Sequence, residues 1–170
     1  MNQQIIISGI GGQGVLFLTR IIAEAAMEKG LPVLTSETHG MAMRGGTVIS
    51  HIKTGPFHSP LIRATQADIG FFLNAANLDV HRGFLKSGGL LFINTPKPGD
   101  YLHVDATRIA KENGFLVVTN LVLLGFAISR GGLFCDAALV ENVIRKLSPD
   151  KQAESNLRVF SLGIAAGKTN

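Results

Sequence analysis

The stretch "QIIISGIGGQGVLFLTR", Gln4–Arg20, limits the possible folds more than any other part of the sequence. Gln4 to Ser8 is a short run of β-branched residues, which reads as a buried strand. It runs into a loop where Gly9, Gly11 and Gly14 keep the G-x-G-x-x-G spacing, with Gly12 and Gln13 inside it. "QGVLFLTRIIAEAAMEKG" then spreads apolar residues over a broad helical face, Gly30 is its stop, and Pro32 opens the extended piece "PVLTSE". Strand, glycine loop, helix and strand within about forty residues predict the first unit of a parallel α/β sheet.

The remaining pattern continues in the same style. "GTVISHIKTG" reads as a strand turned by Gly55-Pro56, and "DIGFFLN" as an apolar strand ending at Asn74. "NLDVHRGFLKSGG" has the spacing of a helix, with Asn77 as N-cap and Gly88 as stop; "LLFINT" follows as a strand. "YLHVDA" and "GFLVVT" flank a short helix, which gives one more strand–helix–strand unit. From Asn120 the pattern is helical through "NLVLLGFAISRG" and "DAALVENVIRKL", and Ser148 as N-cap with Pro149 at the first helical position starts a last helix. With no repeat or linker, residues 1–170 read as a single α/β domain of mostly parallel sheet.

Composition narrows the function classes. Hydrophobic residues make up 46% and charged residues 16%, which is lean for the surface of a free monomer and implies that another subunit, or a second copy of the chain, covers part of it. The net charge of +4 comes with no basic run and no interleaving of basic and aromatic residues, so nucleic acid is not an expected partner. A single cysteine, Cys135 in "GGLFCDAAL", excludes an internal disulfide and a cysteine-ligated iron–sulfur cluster built by this chain alone; it reads as a packing residue. Without a signal-peptide core or an apolar run of membrane-spanning length, the expected location is the cytoplasm and no membrane partner is expected.

Two clusters could carry chemistry. In the glycine loop the helix N-terminus offers N–H groups and a positive dipole end to an anion, and Glu37, 23 residues after Gly14, stands near the spacing of a ribose-binding acid. A nicotinamide dinucleotide is therefore one reading, and close helix–strand packing at Gly9 and Gly14 is another. The second cluster, "SETHGMAMRGGTV" (Ser36–Val48), reads as a long loop at the carboxyl edge of the sheet. Arg44 followed by Gly45 and Gly46 is a charged fork beside approachable backbone, suited to phosphate, carboxylate or a salt bridge. Met41 and Met43 suit a protein contact or loop packing, and His39 lacks a nucleophile or carboxylate companion that would make it a catalytic base. His51, His58, His81 and His103 fall at no metal-ligand spacing. No nucleophile elbow, Walker A sequence or metal motif is present, so no catalytic residue is expected on this chain.

Taken together, "GxGGQG" opening the first helix and "SETHGMAMRGG" after the second strand resemble the γ-type subunits of 2-oxoacid:ferredoxin oxidoreductases. The wording "HGM-A-x-RGG" is especially similar to the small β subunit of indolepyruvate oxidoreductases. The resemblance continues through "DIGFFLN", "TNLVLLG" (Thr119–Gly125) and "NLRVFSLG" (Asn156–Gly163), and so covers nearly the whole chain. It implies a Rossmann-like three-layer fold, with helices on both faces of the sheet, that does not bind NAD. It also implies that thiamine diphosphate and 4Fe–4S clusters sit on a large catalytic subunit. That subunit decarboxylates a 2-oxoacid such as indolepyruvate or pyruvate, passes electrons to ferredoxin and hands the acyl group to coenzyme A. The γ-type domain would pack on the catalytic part and help cover coenzyme A. Gly9, Gly11, Gly12, Gln13, Gly14, His39, Met41, Arg44, Gly45 and Gly46 are then expected to face a coenzyme A phosphate or the partner. A free NAD(P)-binding enzyme and a nucleotide-sensing module are the alternatives.

Overall fold

The computed structural model describes residues 2–40, 46–115 and 118–169. Six strands form one mixed sheet: β1 (Gln3–Ile10), β2 (Val33–His39), β3 (Thr47–Thr54), β4 (Ala67–Phe72), β5 (Leu85–Asn94) and β6 (Leu102–Val104). Their spatial order is β2-β3-β1-β4-β5-β6. β1, β4, β5 and β6 run parallel in neighbouring pairs, while β3 is antiparallel to both β1 and β2. The sheet is thus mostly parallel, with a single reversed strand inside it.

That reversal corrects the reading of the first unit. β1, the helix α1 (Val15–Glu28) and β2 do succeed one another, but β2 is the sheet edge and does not pair with β1. β3 lies between them, with Ile5 opposite Ile52 and Thr35 opposite Ile52 on its other side. The physical reason is the short β2–β3 connection. "SETH" and "TV" of the supposed long loop are strand, only residues 40–46 connect them, and a link that short joins antiparallel strands.

α1 starts at Gly14 and stops as expected: the N–H of Leu31 reaches the carbonyl of Ala26 and that of Gly30 reaches Met27, closing the last turn. α3 (Ala106–Glu112) is capped by Asp105, whose carboxylate accepts from the Arg108 N–H at 2.9 Å; α5 (Ala137–Leu147) is capped likewise by Asp136 through Leu139. α4 (Thr119–Arg130) and α6 (Asp150–Lys168) complete the helical layer. The helices bury Leu18, Ile21 and Ile22 of α1, Leu121 to Leu124 of α4, and Val159 and Phe160 of α6 against Ile5, Ile7, Ile52, Phe71 and Phe92 of the sheet. Phe71 and Phe92 stack at 5.5 Å, and Phe126 of α4 meets Phe92 edge-on at 6.2 Å.

The opposite face carries Ile6, Ile49, Phe72, Leu91 and Ile93. Its cover is thin: a 3₁₀ turn (Ala75–Asn77), the single-turn α2 (Leu78–His81), a second 3₁₀ turn (Arg82–Phe84) and the 55–66 loop, which contributes Ile62. The expected helix over "NLDVHRGFLKSGG" therefore shrinks to α2. "LKSGG" joins β5, pulled into the sheet by pairing with β4 through a bulge between Ala67 and Ile69. Asn74, rather than Asn77, caps this segment, accepting from the Ala76 N–H at 2.9 Å. In "GFLVVT", residues 116–117 lie outside the described ones and Phe115 and Val118 are not strand. Ser148 ends α5 instead of capping α6, and its hydroxyl accepts from the Asn156 side chain at 2.9 Å; α6 begins one residue after Pro149.

Candidate functional site

The glycine loop emerges where β1, β4 and β5 end, the edge of an open α/β sheet at which ligands and partners gather. Side-chain carboxamides hold it. Gln13 folds back inward: its Oε1 accepts from the Ile10 N–H at 2.9 Å and its Nε2 donates to the Leu73 carbonyl at 3.2 Å. Asn94 donates to the same carbonyl at 3.1 Å. Asn77 donates to the Gly9 carbonyl at 2.7 Å, and Asn120 of α4 donates to the Gly14 carbonyl at 3.1 Å. Four amide side chains from four segments fix the loop without charge.

The glycines divide by task. Gly9 is buried, and a Cβ there would lie 2.8 Å from Val15 Cγ2. Gly14 caps α1 at φ 78°, a left-handed conformation that favours glycine, and a Cβ would come within 2.4 Å of the Asn120 amide. Gly11 and Gly12 are exposed. The Gly11 N–H donates to the Gly46 carbonyl at 3.1 Å, a direct bond between the two sequence clusters.

Two clefts flank this point. One, of about 310 Å³, is lined by Gly11, Gly12, Gly14, Leu16, His39 and Val48. Apart from His39 its side chains are apolar, and Leu16 is exposed beside it, which suits a protein contact better than a phosphate. The other, of about 430 Å³, lies on the far side of the loop and includes Phe17, Arg20, Asn120 and Gln152. Arg20 gives it a cation, which the described lining of the first lacks. No motif in the sequence alone singles out Arg20, Asn120 or Gln152 as site residues. The signal available for Arg20 was its i,i+3 spacing from Phe17 on the helix that the glycine loop opens.

The structure therefore gathers Gly11, Gly12, Gly14, His39 and Gly46, and turns Gly9 and Gln13 to internal packing and bonding. Met41, Arg44 and Gly45 lie outside the described residues. Glu37, the candidate ribose-binding acid, is exposed on the edge strand, with β3 interposed between it and β1. Cys135 is buried, and burial pushes its thiol up to about 12, as a packing residue requires. Among the described residues no three His, Cys, Asp or Glu side chains form a metal-binding group. No helix among them is long and apolar enough to cross a membrane.

Comparison with known proteins agrees with this architecture. The family model described as pyruvate ferredoxin/flavodoxin oxidoreductase matches residues 4–166. Indolepyruvate oxidoreductase subunit IorB of Archaeoglobus fulgidus is 32% identical, over 96% of this chain and 94% of its own length. The keto/oxoacid ferredoxin oxidoreductase gamma subunit of Geobacter sulfurreducens superposes with a TM-score of 0.78 at 25% identity, over 99% of both chains. The same fold occupies 31% of a longer chain, that of 2-oxoglutarate:ferredoxin oxidoreductase from Magnetococcus marinus, solved with 2-oxoglutarate, coenzyme A and succinyl-CoA (TM-score 0.79, 20% identity).

Proposed function

The chain belongs to the pyruvate ferredoxin/flavodoxin oxidoreductase family, and we propose that it serves as the subunit of a 2-oxoacid:ferredoxin oxidoreductase that carries no cofactor of its own. The enzyme would oxidatively decarboxylate a 2-oxoacid such as indolepyruvate or pyruvate to an acyl-CoA and pass the electrons to ferredoxin. Thiamine diphosphate and the 4Fe–4S clusters would reside on a large catalytic subunit; a cluster needs several thiolates and this sequence has one cysteine, which is buried. When bound there, thiamine would supply the carbon–carbon cleavage. This chain's part is to present a rigid surface.

The observation that carries the reading is the bond from Gly11 to Gly46, which joins the two motifs of the family resemblance on one exposed edge. The apolar cleft at Leu16 and His39 is the proposed seat of the catalytic subunit. Arg44, from its sequence context, and Arg20 in the second cleft are the cations proposed to meet a coenzyme A phosphate or a partner's acidic side chain.

The test is reconstitution with the large thiamine- and cluster-binding subunit that the reading requires, assayed with a panel of 2-oxoacids, coenzyme A, thiamine diphosphate and a viologen acceptor. The isolated chain should be silent and the complex active. Turnover by the chain free of any partner would overturn the reading. Within the complex, Arg44→Ala should raise the coenzyme A KM by roughly 10-fold if it loses one charge-assisted bond to phosphate. If Arg44 meets only the partner, the same variant should weaken assembly and leave that KM unchanged. No effect on either would remove Arg44 from the site.

A further inference from the structure

The edge of the sheet opposite the glycine loop holds a second cavity, of about 580 Å³, beneath the 55–66 loop. Lys53 and Gln4, register partners on β3 and β1, form its floor; Phe57, His58, Arg63 and Gln66 contribute its walls. Lys53 is only 9% exposed. Its ammonium lies over the Phe57 ring at 5.1 Å, and among the described residues it has neither a carboxylate nor a hydrogen-bond acceptor. No acidic side chain lines the cavity. The carboxylate at the start of β4, Asp68, is already engaged by the Gln4 N–H at 2.7 Å and by Lys86.

The walls are fixed. The Ile62 N–H donates to His51 Nδ1 at 3.3 Å, the Gln66 carbonyl accepts from the Gln4 side chain at 3.1 Å, and the Thr65 and Gln66 N–H groups reach the carbonyls of Gly83 and Phe84 at 2.9 Å. The Lys53 stem is buried and delivers an ammonium without a counter-charge to the floor of a formed cavity whose lining holds no acid, which leaves a place for an anion.

We propose that this cavity is an oxyanion site for a small phosphate-bearing molecule, with Lys53 as the cation on its floor, Arg63 as the fork at its mouth and Phe57 as an apolar wall for the organic part. Lys53 supplies a point charge, and the exposed guanidinium of Arg63 supplies paired donors. His58 and the Gln4 and Gln66 carboxamides add donors for further oxygens. A phosphate, with three terminal oxygens, uses such a converging set more fully than a carboxylate does. This site stands apart from the glycine-loop edge, and its failure would leave the proposed function untouched.

The test is titration of the full chain with phenyl phosphate, inorganic phosphate and benzoate, read by calorimetry and by amide NMR shifts. Phenyl phosphate should bind saturably, with the amides of His58, Ser59 and Gln66 moving, and inorganic phosphate should compete. Lys53→Met, which keeps the apolar stem, should weaken binding by about 10-fold or more. Should Lys53→Met fail to fold, the exposed Arg63→Gln gives the same reading, with weaker binding and an unchanged Tm. A Lys151→Met control on α6 should change nothing. Linear, non-saturating shifts, or shifts equal in wild type and both variants, would show general ionic screening and overturn the proposal. Benzoate binding as tightly as phenyl phosphate would overturn the ligand class.

Discussion

At the buried end of β1 the proton positions of one cluster follow from donor counting. Asn77 Nδ2 can only donate, so the Ser8 hydroxyl oxygen accepts from it at 3.1 Å. Among the described residues the buried hydroxyl proton has no acceptor other than His81 Nδ1, 2.7 Å away, so that nitrogen accepts. His51 Nδ1 likewise accepts from the Ile62 N–H. Both imidazoles therefore carry their proton on Nε2 and are neutral, and both pack against the Phe84 ring, at 5.3 and 6.2 Å. Burial pushes both below the usual histidine value, and His51 is lowered further by His81 and by Lys53, the two charged or chargeable groups that face it.

The consequence for stability has a definite sign. Above about pH 6.5 both histidines are neutral in the folded and unfolded chain and cost nothing. Below it the unfolded chain takes up protons that the folded chain refuses, so stability falls with pH until the folded values are reached. Urea melts at pH 7.5 and 5.5 should show this loss. In His81→Gln, whose carboxamide still accepts from Ser8, the loss should be smaller. An unchanged loss in that variant would place the titration elsewhere.

Among the elements, α4 and α6 pack backbone to backbone, and two glycines set that approach. A Cβ on Gly125 would sit 2.1 Å from the Phe160 carbonyl oxygen, and one on Gly163 the same distance from that of Val122. Backbone cannot yield as a flexible side chain does, so the helices would have to separate. Gly163→Ala should therefore cost about 3 kcal/mol, at the upper end of overpacking. That corresponds to a Tm drop of roughly 6–12 °C for a domain of this size, read by calorimetry. Because α4 carries Asn120 onto Gly14, the variant should also loosen the glycine loop. A Tm within a degree of wild type would mean that the crossing adapts and that this contact does not set the geometry. Both glycines stand at the ends of segments that the sequence marks, "TNLVLLG" and "NLRVFSLG", yet their helix-crossing role was hidden because the partner atom lies on a distant helix.

The same limit governs the rest of what was legible. β1, α1, β3, β4 and their turns follow from local periodicity and glycine or proline stops, and they stood out. α2 did not: the spacing of Leu78, His81 and Leu85 is helical, but pairing of Leu85–Gly89 with β4 claims half the segment. Within the site, the glycines and His39 were legible as residue types. The inward fold of Gln13 and the capping amide of Asn120 depend on Leu73 and Gly14, contacts 60 and 106 residues away in sequence.

For the whole molecule, strand order decides the question that the glycine loop raises. A dinucleotide lies across a parallel sheet whose second strand is next to the first, so that the loop holds the pyrophosphate and an acid at the end of the second strand takes the ribose. Here the loop is present and Glu37 has nearly the right spacing, but β3 stands between β1 and β2 and moves that acid one strand further out, about 4.8 Å on strand spacing alone. Inside the loop, Gln13 already bonds the Ile10 N–H, and the adjoining cleft is lined mainly by apolar side chains. Each part of the dinucleotide site is thus displaced or used by the fold itself. Calorimetric titration of the chain with NAD⁺ and with NADPH should give no saturable heat up to millimolar ligand. A micromolar dissociation constant, about −8 kcal/mol, would mean that the inserted strand does not exclude the cofactor. It would also promote the reading of this chain as a free NAD(P)-binding enzyme over that of a subunit without a cofactor of its own.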